Sequence, residues 1–467
     1  MSYLSILTKK QILQSEKKFI KKFPNKDLIR IAGQKLWNNL SSKIKKKKVF
    51  ILSGPGNNGE DGRQLFKISQ DSSENLFEIV SFNKALSNQL EISKKVNKLI
   101  QSSDIIIDSI FGIGLSRKVN NFYKYIFKLI NESKKYVISI DMPSGVFCDD
   151  GTYNETCVCA DETYVMGYFK PCHFLLPAKQ KCGKKTLVKL GLKIPSKLNP
   201  KIQLITDKFV LKNFPKNKID DHKYKRGSVL VVGGKMAGAS RLVALASRKI
   251  GAGLSTIKIS SNQIPLYSGA EPGTIINYNN EINLQNYSVV VIGPGLGKDF
   301  EKEKIIQMLK DQKIKMILDA DGFSMHETDN KKILALLRKR KKTILTPHAG
   351  EFKKFFKMEN NSKIEASLKA AKLSNSIVIY KGNDTVIATP EGKVWVNDNA
   401  FENLATAGSG DILCGLIAGI LSRSKNLIIS SIIGVWFQGK LSQNSNNLIA
   451  EDFIYDIPYV INKLVNE

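Results

Sequence analysis

Residues 405–421 read ATAGSGDILCGLIAGIL: small residues and glycines, then an aspartate, then an apolar run. Glycines before a helix suit a tight turn whose free N–H groups attract anions. Asp411, at the mouth of that turn, should repel the same anion. Two readings are open. Asp411 is a helix cap, a position that aspartate favours, or it is a base that removes a proton beside a phosphoryl group. In the second reading the 407–410 segment absorbs charge on the phosphoryl group in flight, and a cation such as Mg²⁺ screens it from the carboxylate.

A second constellation lies nearer the start. ILSGPGNNGEDGRQLF (51–66) is an apolar strand, a glycine-rich turn and an incipient helix, and it matches neither a Walker loop nor GxGxxG. IIIDSIFGIGLSRK (105–118) ends a strand on Asp108 before glycines, and ISIDMPSGVFCDDG (138–151) does likewise with Asp141 and Ser144. Any one of these could be an ordinary turn. Three together fit a ligand site, because ligands of parallel sheets gather beyond the carboxyl ends of the strands. Hard oxygens from Asn58, Asp108 and Ser144 could hold a cation.

The elements that must carry these loops follow a rhythm. Residues 1–40 space their apolar residues as helices do. The strands 49–52, 104–108 and 136–140 then alternate with amphipathic stretches, the pattern of a parallel sheet with helices on its faces. Residues 186–206, with two prolines, read as a connector. A second series starts at GSVLVVGG (227–234) and closes in a meander over 376–397. The expected architecture is α/β, two domains in tandem over 1–205 and 206–467.

Composition narrows the function. The 467 residues are 42% hydrophobic and contain no apolar run of 18, so no membrane span is expected. The start, MSYLSILTKK, lacks a signal-peptide pattern. Net charge is +30, but the lysines are spread along the chain, so nucleic acid is not an expected partner. Six cysteines without a regular framework suit a reducing cytoplasm. Five of them, between Cys148 and Cys182, form no C-x-x-C pair, and thiols scattered through a core are expected rather than zinc.

Residues 1–205 resemble the NAD(P)H-hydrate epimerases, whose pattern is a GPGNNGGDG loop, a D-x-x-F-G-x-G segment and D-I-P-S-G; a Rossmann-like three-layer sandwich is implied. The resemblance puts ligand contacts on Asn57, Asn58, Gly59, Glu60 and Asp61, on Gly112, Ile113, Gly114, Leu115, Ser116, Arg117 and Lys118, and on Asp141 as a catalytic residue. It puts K⁺ on Asn58, Asp108 and Ser144. Two departures stand out. Glu60 replaces a glycine, adding a Cβ where positive φ is expected, and Cys172 in FKPCH replaces another. Lys170 in that segment faces either the ligand or the solvent.

Residues 222–445 resemble the NAD(P)H-hydrate dehydratases of the ribokinase-like fold, through HKYKRGSVLVVGG, GPGLG, LDADG, LTPHAGE, KGNDTVIA and ATAGSGD. The resemblance implies that Lys381, Gly382, Asn383, Asp384, Thr385 and Gly410 contact an adenine nucleotide. Ala239, Gly297, His348 and Asp411 then contact the hydrate, with Asp411 as the catalytic base. The implied function is repair of hydrated nicotinamide cofactors: epimerisation of R and S NAD(P)H hydrates, and dehydration of the S form with ADP and Mg²⁺. ATP is the alternative donor, and a cytoplasmic homo-oligomer is expected. Two rivals are a small-molecule kinase of the same fold and an RNA-associated scaffold built on the first domain.

Overall fold

The computed structural model describes residues 4–24, 26–71, 76–82, 88–194, 199–279, 281–324, 330–358, 362–443 and 449–466. Two compact units emerge, Ser5–Leu198 and, together with Leu4, Asn199–Glu467.

The first unit is built on six parallel strands: β1 (Lys48–Ser53), β2 (Leu76–Ser81), β3 (Ile105–Ser109), β4 (Tyr136–Ile140), β5 (Glu162–Met166) and β6 (Lys184–Val188). Their order is β2-β1-β3-β4-β5-β6. Successive side chains of a strand leave on opposite faces, and β1 sorts its residues that way. Val49 and Ile51 pack with Leu36, Leu40 and Leu65 from the helices Leu28–Ile44 and Asn57–Ser69. Phe50 and Leu52 pack instead with Val96, Ile126 and Phe127 from the helices Gln89–Ser102 and Asn121–Glu132. Helices therefore cover both faces, giving three layers. Register sets Asp108 beside Leu52 on one side and Ser139 on the other, so the polar strand ends share one edge.

In the second unit β7 (Lys201–Leu204) falls inside the stretch that reads as a connector. The strands β8 (Ser228–Val232), β9 (Leu254–Lys258), β10 (Ile275–Asn277), β11 (Val289–Ile292), β12 (Lys315–Leu318), β13 (Thr343–Leu345) and β14 (Ile377–Tyr380) follow. A meander of β15 (Val386–Ala388) and β16 (Lys393–Val396) completes the set. The order is β7-β16-β15-β14-β13-β12-β11-β8-β9-β10. From β14 to β10 all pairings are parallel. Asp319, Thr346 and Lys381 each directly follow a strand of this parallel set, so the topology brings them to one edge.

The helix Ser409–Ser424 is the apolar run that follows Asp411, and Ile412 through Ser422 are all buried. It lies against the helix Ala237–Lys249 because Gly415 and Gly419 remove side chains from the contact. A Cβ on Gly415 would stand 2.5 Å from the carbonyl oxygen of Val243. None of the described helices is long and apolar enough to cross a membrane. Gly415→Ala should lower stability by about 1–3 kcal/mol, the usual penalty of overpacking a tight contact, measured by urea denaturation.

Candidate active sites

The first unit carries a cleft of about 640 Å³. The helix Asn57–Ser69 begins there with Gly56 as its N-cap and no side-chain cap, leaving N–H groups for a ligand. Of the residues expected to touch that ligand, Asn57, Asn58, Asp61, Gly112 through Arg117 and Asp141 line the cleft. Gly59, Glu60 and Lys118 are not among its walls. Gly59 is pressed onto Gly54, where a Cβ would come within 1.9 Å of the carbonyl oxygen. Glu60 sits in the first helical turn without positive φ, so the expected backbone conflict does not arise. Its carboxylate is clasped by Arg63, whose Nε donates at 2.7 Å.

Asp108 and Ser144 face each other behind the cleft. The Asp108 carboxylate is fully buried and accepts from Ser144 Oγ at 2.5 Å, Ser144 N at 2.8 Å, Ser139 Oγ at 2.8 Å and Ile110 N at 3.2 Å. Burial raises its pKa, and these donors hold it back. Ser144 Oγ also accepts from Phe111 N at 2.8 Å, so the pair ties the loops after β3 and β4 together. Asn58 is different. It is 8% exposed, and both polar atoms of its amide are buried without a hydrogen-bond partner. Such orphans are expensive unless a ligand or ion satisfies them.

Asp141 holds φ at +69°, an uncommon state for aspartate. Its Oδ1 accepts from Met166 N at 3.2 Å and pairs with Lys170. Lys170 is 1% exposed and lines the cleft, which rules out the solvent-facing placement left open by the sequence. His173 steadies this pair. Its Nδ1 accepts the Lys170 N–H at 3.0 Å, so its Nε2 carries the proton and donates to the Asp141 carbonyl at 2.9 Å. Burial, helped by Lys170, pushes the His173 pKa far down. Asp61 and Glu16 complete the cleft's acidic set. Burial pushes the pKa of each up, and Asp141 adds to the rise. Cys172 lies fully buried with Cys148 and Cys157 in a small apolar cluster.

In the second unit Asp411 is the third residue of its helix. Gly408 is the cap at φ +85°, and the cap position makes no side-chain hydrogen bond. The helix-cap reading of Asp411 therefore falls away. Its neighbours are charged. Lys381 Nζ bonds Asp319 Oδ1 at 2.6 Å and lies 3.8 Å from Glu351 Oε2, while Thr346 Oγ1 donates to Asp319 at 2.8 Å. A Cβ on Gly410 would lie 3.4 Å from Lys381 Nζ, so the glycine loop rests against this pair. Burial, then Asp319, raises the Asp411 pKa to about 7 against the pull of Lys381. Burial likewise raises Glu351 to about 7. A carboxyl titrating near neutrality suits proton transfer.

The other expected contacts lie around this centre. Gly297 N donates to Asp321 Oδ2 at 2.9 Å, and Ala239 packs against the Gly295 turn. His348 caps the helix Ala349–Phe356 through Nδ1, and burial with Lys381 lowers its pKa. In the turn expected to hold the nucleotide, Gly382 is exposed and Asn383 half-buried. Asp384 and Thr385 are buried and work structurally: Asp384 pairs with Lys363, and Thr385 Oγ1 donates to the Gly382 carbonyl at 2.6 Å. Sequence reasoning assigned no role to Glu16, Asp319 or Glu351. The last two stand inside quoted motifs, LDADG and LTPHAGE, but only folding sets them around Lys381. Among the described residues no three His, Cys, Asp or Glu side chains are close enough to hold a metal by themselves.

Comparisons with known proteins bear on both units. Residues 229–463 match the family described as NAD(P)H-hydrate dehydratase. Residues 25–172 match the one described as YjeF-related protein N-terminus. A bifunctional NAD(P)H-hydrate repair enzyme of Dictyoglomus turgidum is 30% identical, with 99% of each chain aligned. A protein of the same description from Synechocystis is 28% identical over 89% of this chain and 85% of its own. Among solved structures, a ribokinase-like superfamily protein from Enterococcus faecalis gives a TM-score of 0.50 at 21% identity, covering 57% of this chain and 97% of that one.

The raised Asp411 pKa has a stability consequence. The folded protein holds the proton up to about pH 7, whereas an unfolded aspartate releases it near 3.8. Stability is therefore lost as pH rises through that window. Asp411→Asn should be more stable than the wild type at pH 8 by about 1 kcal/mol or more, the gap closing towards pH 4, as read from urea midpoints across pH. Lys381→Met should push the Asp411 pKa higher still, measured by carboxyl NMR titration.

Proposed function

The chain belongs to the bifunctional NAD(P)H-hydrate repair enzymes, and on that premise we propose that its two units divide one repair. The first, over 1–205, interconverts the R and S hydrates of NAD(P)H. The second, over 206–467, dehydrates the S form at the expense of ADP. The support is a likeness that runs through both units of one relative at once. The fusion has a chemical logic, because a stereospecific dehydratase leaves the other epimer stranded.

In the hydrate the hydroxyl sits on a ring carbon next to nitrogen, and hydroxide leaves poorly. Asp411 takes the hydroxyl proton as the oxygen attacks the terminal phosphoryl group of ADP, and AMP departs. N–H groups at the start of the Ser409–Ser424 helix, with Lys381 beside them, offset charge on the moving phosphoryl group. The ring nitrogen's electron pair then expels phosphate, and loss of a proton from the adjacent ring carbon restores the double bond. Mg²⁺ fits the hard carboxylate oxygens gathered around Lys381. Asp319, Asp321 and Glu351 are the candidates, and the ion would neutralise phosphate charge. ADP is the donor we assign, with the Lys381–Thr385 turn and Gly410 holding it.

In the first unit Asp141 is assigned as the catalytic group, with the Asn57–Asp61 and Gly112–Lys118 segments around the hydrate. K⁺ fits the hard oxygens of Asn58, Asp108 and Ser144, and the orphaned Asn58 amide is the observation in its favour. The ion would fix the strand-end loops.

With mixed hydrates, ADP and Mg²⁺, absorbance of the reduced nicotinamide should recover fully, releasing one AMP and one phosphate per cofactor. Recovery that stops at the S fraction means a silent first unit, and accumulation of a stable phosphorylated product means a kinase instead. Asp411→Ala should slow the nucleotide-driven step by about 100-fold or more.

A further inference from the structure

Epimerisation asks more of the cleft than binding. The carbon that inverts carries a hydroxyl and adjoins the ring nitrogen. Inversion follows if a carboxylic acid protonates the hydroxyl and water leaves. The nitrogen's pair then forms a C=N⁺ bond. Water adds to the other face, giving its extra proton to a carboxylate there. The sum is one proton moved from one carboxyl to another, and the reverse reaction exchanges their roles. Two carboxyl groups reaching the same carbon are the requirement. Asp141 supplies one, and it is tied to Lys170.

We propose that Glu16, on the helix Lys9–Lys22, is the second catalytic carboxyl of the epimerisation cleft, working as the acid or base partner of Asp141. The proposal rests on the epimerase reading of the first unit. Glu16 and Asp141 line the same cleft from different elements, one from a helix near the N-terminus and one from the end of β4. Glu16 has no hydrogen-bond or ion-pair partner among the described residues, so its carboxyl is free for a ligand. The helix that carries it is fixed in place. Thr8 forms a capping box with Gln11, Lys9 N donates to Asp149 at 2.7 Å, and Ser15 Oγ, one residue before Glu16, donates to the Lys193 carbonyl at 2.7 Å. The orphaned amide of Asn58, a residue that lines the same cleft, marks the place as built for a ligand.

The charges around Glu16 suit the role. From the sheet side it faces Asp141 and Lys170, from the glycine-loop helix Asp61, and the cleft also holds Lys9 and Arg117. Burial and Asp141 favour its protonated form, and Lys170 opposes them. A carboxylate engaged by a lysine and a carboxyl whose proton affinity burial raises thus share one cleft, the pairing that acid–base inversion needs.

The test is Glu16→Gln in the full chain, with epimerisation of the purified R hydrate followed across pH. The wild-type rate should be bell-shaped in pH, its two apparent pKa values belonging to the carboxyl set. The variant should lose one limb of the bell and about 100-fold or more in kcat, with KM nearly unchanged, while ADP-dependent dehydration of the S hydrate continues. Glu16→Asp should restore part of the rate and the missing limb, which a folding defect would not do. An unchanged rate and profile, or a change confined to KM, overturns the assignment. If the wild type does not epimerise at all, it is the epimerase reading that fails.

Discussion

A carboxylate taken out of water must be met by a cation, by donors or by a proton, and each unit uses all three. In the first, Lys170 answers Asp141, four donors answer Asp108, and burial shifts Asp61 and Glu16 towards their protonated forms. In the second, Lys381 answers Asp319, while Asp411 and Glu351 are pushed to about 7. One buried lysine beside several carboxyls leaves a surplus whose pKa values burial and neighbouring carboxylates raise. That surplus gives each unit a group able to exchange a proton, and it follows from burial as much as from the identity of any residue.

Parallel sheets make such crowding natural. Every strand of the set ends on the same edge, so the residue after each strand arrives beside its counterparts without help from long loops. Asp319, Thr346 and Lys381 meet in this way, while Asp108 and Ser139, in the last residues of neighbouring strands, meet Ser144 from the loop beyond. Side chains pointing to both faces meanwhile anchor the sheet under two helical layers. The stability of those layers tolerates the electrostatic penalty concentrated at the edge.

Much of this was legible in the chain. Strands that are apolar on both faces and stop at glycine or proline announced parallel sheets, and the GND and EGK turns announced the meander. The helix behind Asp411 was visible as an apolar run. Short or partly polar strands were harder. Glu162–Met166 and Leu76–Ser81 carry charged or half-exposed residues, and pairing rather than local pattern makes them strands. At the sites, glycine loops pointed to the right segments but not to orientation. Glu60 looked like a conflict because Gly59 and Gly62 suggest a turn, whereas the helix already begins at Asn57 and contains both. Lys170 looked ambiguous because nothing local shows that its surroundings exclude water. Glu16 carried no signal at all, since an acidic residue on an amphipathic helix is ordinary until the fold decides which face it shares.

The two glycines that let the Ser409–Ser424 helix nest against Ala237–Lys249 reach further than packing. A helix seated by close backbone contact resists turning about its axis, and the carboxyl at its first turn shares that restraint. With Asp411 as the proton acceptor proposed above, recognition in the second unit would be lock and key: the substrate alcohol would have to fit a firmly held edge. Handedness is the kind of property such an edge measures well, since a mirror-related alcohol points elsewhere and the edge cannot follow it.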